Sequence, residues 1–223
     1  MFHVKQDALA QERFRVYARY LLEENQKYNL TAITEEEDVI QKHFIDSLMP
    51  LDWLRPPEGS TLLDVGSGAG FPGMALAIAR PGLAVTLLDS TEKKAAFLRR
   101  LAELLDLPVR VICARAESAA REDSLREGFD FVTARAVAAL PALCEYCLPF
   151  VRVGGVFCAW KGLNLETETA LAANAIEVMG GRLAHIHQKS MSYGERGAVL
   201  IDKISHTPSK YPRNTALILK KPL

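Results

Sequence analysis

The residues with the clearest chemistry run from Thr61 to Gly73, Thr-Leu-Leu-Asp-Val-Gly-Ser-Gly-Ala-Gly-Phe-Pro-Gly. Glycines at 66, 68, 70 and 73 follow a short apolar run and lead into an apolar helical pattern from Phe71 to Ala79. Strand, glycine loop and helix in that order make a nucleotide-type binding turn, because a sharp turn that lets a ligand approach the backbone favours glycine. The register Gly68-x-Gly70-x-x-Gly73 also fits a dinucleotide fingerprint, so an NAD-dependent oxidoreductase is a candidate. Against it, Gly66 is the glycine that directly follows the strand, and counting from it puts Phe71 where the third glycine belongs. Asp64 at the strand end adds weight. A carboxylate repels a pyrophosphate and attracts the ammonium and sulfonium of S-adenosylmethionine.

Other strand ends carry further candidates. Asp89 lies about 20 residues past the loop, where a carboxylate accepts both ribose hydroxyls of a nucleotide. Its ordinary reading is an acid at a helix start. Ala116 and Glu117, just past the third strand, can meet an adenine edge; alone, Glu117 reads as an exposed loop acid. Arg135 follows the fourth strand, where a guanidinium suits carboxylate or phosphate. Lys161 follows the fifth and offers a second positive point. The tail adds Lys203, His206, Lys210, Arg213, Lys220 and Lys221, a basic rim that fits phosphate contacts or simply a solvated end. His43 and Asp46 share a helical face and read as substrate contacts or, more plainly, as a solvated or locally paired His. Cys144-x-x-Cys147 is the one cysteine pair with metal spacing, and His185 and His187 are the nearest candidates to complete a site; helix packing and no metal is the expectation.

These residues need an α/β frame. Apolar runs at 61–65, 84–88, 109–113, 129–133 and 156–160 alternate with helical patterns, which gives a parallel sheet with helices on both faces. Gly154-Gly155 reads as the turn into the fifth strand, 165–179 as one helix stopped at Gly180-Gly181, and 182–188 with 197–204 as a final strand pair. Ahead of the sheet, residues 7–28 and a second helix opened by a Thr34–Glu37 capping box form an N-terminal helical extension. Pro50, Pro56, Pro57 and Gly59 close it, so the expected division is 1–57, helical extension, and 58–223, S-adenosylmethionine-binding domain. The 223 residues are 49% hydrophobic and 24% charged, with zero net charge, as in a soluble globular chain. No apolar run reaches membrane-spanning length and 1–10 lacks a signal peptide's apolar block, so a cytoplasmic protein is expected. Neutral overall charge means that any RNA contact must be local.

Taken in order, Asn29-Leu-Thr-Ala-Ile33, His43-Phe-Ile-Asp-Ser-Leu48, Leu63-Asp-Val-Gly-Ser-Gly-Ala-Gly-Phe-Pro-Gly73, Leu88-Asp-Ser90, Arg115-Ala-Glu117, Thr133-Ala-Arg-Ala-Val137 and Trp160-Lys-Gly162 resemble the bacterial small-subunit ribosomal RNA guanine-N7 methyltransferase family. It is also called glucose-inhibited division protein B. The resemblance implies a Rossmann-like class I methyltransferase that uses S-adenosylmethionine on N7 of a guanine in 16S rRNA, with 16S rRNA or the 30S subunit as partner, and a monomer is expected. The family's donor-site pattern falls on Gly66, Phe71, Ala116, Glu117 and Arg135, with Asp89 in the ribose position; Asp64 and Gly68 belong to the same loop. Arg135, Lys161 and Arg213 are the expected substrate-binding residues, acting by positioning. One departure is plain. Family tails often continue Tyr-Pro-Arg with basic and glycine residues, whereas Tyr211-Pro-Arg213 here precedes Asn-Thr-Ala-Leu-Ile-Leu219, an apolar run that reads as a strand. A small-molecule or other RNA methyltransferase, and a non-enzymatic rRNA-binding protein, are the alternatives.

Overall fold

The computed structural model describes residues 7–162 and 164–223. They fall into two compact units, Met1–Cys113 and Ala114–Leu223.

In the first unit the expected long helix is present as α1 (Ala8–Tyr28), N-capped by Asp7, whose side chain accepts from Leu9 N and Ala10 N. The second helix starts at Glu36 rather than at a capping box. Glu35 is the N-cap and makes no side-chain cap bond; instead Glu36, Glu37 and Asp38 put negative charge on the first turn. The same helical run then loosens into a π-helix at Ile40–Ile45 before Asp46–Leu48. Strands β1 (Thr61–Val65), β2 (Ala84–Asp89) and β3 (Arg110–Cys113) pair in parallel, with Leu63 opposite Thr86 and Leu88 opposite Ile112. The apolar run of β1 is buried, as a strand covered on both sides requires. Two crossover helices complete the unit. Helix α2 (Gly73–Ala79) packs on β1 and β2, α3 (Glu92–Leu104) on β2 and β3, and α1 lies against both helices.

In the second unit β4 (Phe129–Arg135) pairs in parallel with β5 (Val151–Lys161). β5 begins earlier than its apolar run. Gly154 and Gly155 do not form a turn; they sit in a bulge where the register slips between Phe129 and Phe131. A Cβ on Gly155 would lie 2.6 Å from Asp130 O, so the close approach of the two strands requires glycine there. β6 (Gly181–Met191) and β7 (Gly194–Lys203) form the expected antiparallel pair, and β7 continues antiparallel onto β5. α4 (Leu140–Cys147) packs on β4 and β5. The single helix expected over 165–179 is two, α5 (Leu165–Leu171) and α6 (Ala173–Val178), parted at Ala172 (φ −90°, ψ −1°). The buried stripe Leu165, Thr169, Ala172, Ile176, Met179 keeps helical spacing through the break, so apolar spacing could not reveal it. The tail's apolar run is a helix, α7 (Thr215–Lys220), not a strand: Asn214 Oδ1 accepts from Leu217 N at 2.9 Å and caps it. Within the units the strands are ordered β3-β2-β1 in the first and β4-β5-β7-β6 in the second. Among the described residues no helix is long and apolar enough to cross a membrane.

Candidate functional site

In the first unit the glycine loop is pinned from three sides. Gly66 N and Ser67 N donate to Leu88 O at 2.8 and 3.1 Å, tying the loop to the end of β2. Ser67 Oγ donates to Asp64 O at 2.9 Å, and Gly70 N and Phe71 N donate back to Ser67 O, which closes the turn. Gly68 N donates to Asp89 Oδ2 at 3.0 Å, and Thr91 N donates to the other oxygen at 2.9 Å. The Asp89 carboxylate is therefore buried and fixed in orientation at the end of β2. Gly68 takes φ +58°, and the Cβ it lacks would come no nearer than 3.9 Å to Gly66 O, so the loop keeps a bare backbone face. Asp64 is 0% exposed, and its Oδ2 accepts from Gly73 N at 3.0 Å, at the N-terminus of α2. It braces the loop from inside.

The N-terminal helices supply the third side. Tyr17 Oη donates to Ala69 O at 2.6 Å, and the Tyr17 ring stacks on Phe71 at 5.1 Å and 10°. His43, carried by the π-helical turn, stacks on Phe71 at 4.4 Å, and its Nε2 is 2.8 Å from Thr31 Oγ1. Phe71 therefore contributes its ring to the support of the loop and its backbone to the turn. A Cβ on Gly70 (φ +101°) would lie 2.4 Å from the Tyr17 hydroxyl. Nothing in the loop's own sequence marks Tyr17, which lies 52 positions upstream of Ala69.

In the second unit Ala116 and Glu117 open one helical turn, Ala116–Ala119, after β3. Glu117 Oε1 accepts a short hydrogen bond from Thr215 Oγ1, at the start of α7. Arg135 ends β4, half-buried, and Ala136 after it takes φ +57°. Lys161 ends β5, and its Nζ donates to Ala138 O at 2.8 Å and to Glu168 Oε1 at 2.6 Å. The same Glu168 oxygen accepts from Leu140 N at 2.8 Å. Lys161 and Glu168 thus clasp the segment that links Arg135 to α4. Arg213 donates from Nε and Nη2 to Glu145, a carboxylate that is 0% exposed, and its backbone N reaches Oε1 at 2.7 Å. The Glu145 carboxylate, through these hydrogen bonds, raises the guanidinium's pKa further. Arg121 and Arg126 hold the same tail by its carbonyls, at Pro212 O and Tyr211 O. Glu145, Glu168 and Thr215 had no sequence signal as site supports, except that Glu145 is a lone acid in an apolar helix.

Cys144 and Cys147 are buried in α4, and burial pushes the Cys144 thiol well up. His185 and His187 lie side by side on β6, ring centroids 5.7 Å apart. Among the described residues no three His, Cys, Asp or Glu side chains are grouped to hold a metal. The loop's chemistry suits an adenosyl donor: a bare backbone face, an oriented carboxylate at the end of β2, and a buried aspartate bracing the turn from behind.

Comparison with known proteins agrees. A family model for rRNA small subunit methyltransferase G matches residues 10–196. The Ribosomal RNA small subunit methyltransferase G of Alkaliphilus metalliredigens is 43% identical over 225 residues, 100% of this chain and 93% of its own. The protein of that name from Lactobacillus acidophilus is 44% identical over 217 residues, 95% of this chain and 90% of its own. Among solved structures, MtNAS in complex with MTA and tNA superposes with a TM-score of 0.60 at 16% identity, over 91% of this chain and 80% of that one. M. jannaschii TYW2 in complex with AdoMet gives 0.52 at 18%, over 68% and 72%. At such identities the structural likeness speaks for the fold, a Rossmann-like class I methyltransferase sheet. With a family match over most of its length and relatives at 43% and 44% identity over 95–100% of it, the chain belongs to the rRNA small subunit methyltransferase G family.

Proposed function

We propose that the chain transfers a methyl group from S-adenosylmethionine to N7 of a guanine in 16S rRNA. The observation that supports the reading is the Gly68–Asp89 contact, an open backbone turn with its carboxylate already oriented. Bound there, the donor supplies an electrophilic methyl group on a sulfonium. Asp89 would receive the ribose hydroxyls, Gly66, Gly68 and Phe71 would present backbone to the amino-acid part, and Ala116 and Glu117 would meet the adenine. Asp64 adds negative charge behind the turn, held by Gly73 N.

Guanine N7 is a neutral lone pair, so the chain needs no general base. Its task is to hold the acceptor in line, an effect that in well-oriented reactions reaches about 7–11 kcal/mol. Arg135 binds and orients anionic rRNA groups. Lys161 supports it through Ala138 O and Glu168, and the target base leaves its stack to be reached. Residues 1–57 form the extension that braces the donor loop, and 58–223 the donor-binding domain. The working form is a cytoplasmic monomer acting on 16S rRNA or the 30S subunit.

The test is labelled methyl transfer to 30S subunits, naked 16S rRNA and small acceptors, with mapping of the modified base. Methyl on guanine N7 of 16S rRNA is the expected result. Transfer to small acceptors alone, or binding of NAD with no transfer, overturns the proposal. Arg135→Ala should fold and lose rRNA methylation; full activity in that variant removes Arg135 from the site.

A further inference from the structure

We infer that Thr215 is a positioning residue for the donor site, and that the C-terminal tail sets the affinity for S-adenosylmethionine through it. The inference rests on the reading of Glu117 as an adenine-side residue. Glu117 follows β3 on a helical turn of only four residues, and a glutamate there has three rotatable bonds with which to leave any useful pose. Thr215 Oγ1 donates to Glu117 Oε1, from a residue 98 positions further along the chain. Tyr146 Oη reaches Thr215 Oγ1 at 3.5 Å, a long contact that favours the threonine's own proton pointing at the glutamate. With Oε1 engaged by a hydroxyl donor, the carboxylate stays oriented, and Oε2 is the acceptor for the exocyclic amine of an adenine.

The tail is built to hold that hydroxyl in place. Arg126 and Arg121 donate to Tyr211 O and Pro212 O at 3.0 and 2.5 Å. Arg213 is locked on the buried Glu145, and the next residue, Asn214, caps α7. Each of residues 211 to 215 is thereby fastened, and the last bond in the series falls on Glu117. The arrangement makes the tail an affinity-setting clamp on the donor rather than only a basic fringe for RNA.

The experiment compares Thr215→Val, Thr215→Ser and Glu117→Gln with the full-length wild-type chain. Calorimetry with S-adenosylhomocysteine gives affinity, methyl transfer to 30S subunits gives kcat and donor KM, and thermal unfolding reports folding. Thr215→Val should weaken S-adenosylhomocysteine binding and raise donor KM about tenfold, the loss of one hydrogen bond to a charged group. Its kcat and Tm should stay near wild type, and Thr215→Ser should restore binding. Wild-type affinity in Thr215→Val, with Glu117→Gln impaired, overturns the inference and leaves the site intact. Wild-type affinity in Glu117→Gln instead removes Glu117 from the donor site, and the role of Thr215 falls with it. A Thr215→Val variant whose Tm falls while its affinity at low temperature is unchanged marks a structural role only, which also refutes the inference.

Discussion

Arg213→Ala separates two roles that one arginine in a basic tail can play. In the structure its guanidinium makes three contacts to Glu145, Nε to Oε1 at 2.9 Å and to Oε2 at 3.1 Å, and Nη2 to Oε2 at 2.6 Å. Glu145 is 0% exposed and Arg213 is 17% exposed, so water does not replace the lost partner. Removing one member of a buried pair costs about 3–5 kcal/mol, because the remaining charge stays desolvated. The Arg213 backbone N–H still reaches Oε1, which puts the expected loss at the low end, about 3 kcal/mol. For a chain of this size that lowers Tm by about 6–12 °C. The assay is thermal and urea unfolding of Arg213→Ala beside the double variant Glu145→Leu/Arg213→Met. The double variant removes both charges and should recover to within about 1 kcal/mol of wild type, as buried pairs replaced by apolar residues often do. A Tm within about 2 °C of wild type for Arg213→Ala would refute this reasoning. If rRNA affinity fell at the same time, Arg213 would be facing the substrate instead.

Other tests follow from the donor loop and from the buried lysine of the second unit. Tyr17→Phe deletes the donor to Ala69 O and leaves a buried carbonyl unpaired. It should cost about 1–3 kcal/mol of stability and weaken S-adenosylhomocysteine binding, read by urea unfolding and calorimetry; unchanged binding removes Tyr17 from loop support. Gly70→Ala should destabilise, because its methyl meets the Tyr17 hydroxyl, and should do less harm in the Tyr17→Phe background; strictly additive losses would argue against the clash. Lys203 Nζ donates to Leu148 O, Met179 O and Thr207 Oγ1, and burial, partly offset by Glu127, lowers its pKa to about 8. Its folded pKa lies below the unfolded value, so the unfolded chain binds the extra proton and stability rises with pH from about 8 to about 10.5. Relative to Lys203→Met, the wild type should gain about 3 kcal/mol across that window in urea unfolding, and a flat difference between the two chains would contradict the lysine's placement.

What the sequence made legible is what is local. The glycine loop, the acids at strand ends and the apolar spacing of α1 and α3 each place chemistry within a few residues of its own signal. The loop reads from its glycines, and Asp89 from its distance to them. The supports do not read this way, because each joins residues far apart: Tyr17 to Ala69 across 52 positions, Arg213 to Glu145 across 68, Thr215 to Glu117 across 98. A lone arginine says that a counter-charge exists and not where, so Arg213 reads equally well as an RNA contact. The one usable hint lay on the other partner. Glu145 stands in Leu-Pro-Ala-Leu-Cys-Glu-Tyr-Cys, and an acid in so apolar a helix must be paired if that helix is buried. α7 failed for a related reason. Its apolar run resembles a strand, yet only Ile218 in it is buried; what decides its form is the Asn214 cap together with the Arg213 anchor just before it. Tyr211, Pro212, Arg213 and Thr215 are therefore held by contacts with the body of the second unit. That is why their role is sought in donor affinity as well as in RNA contact.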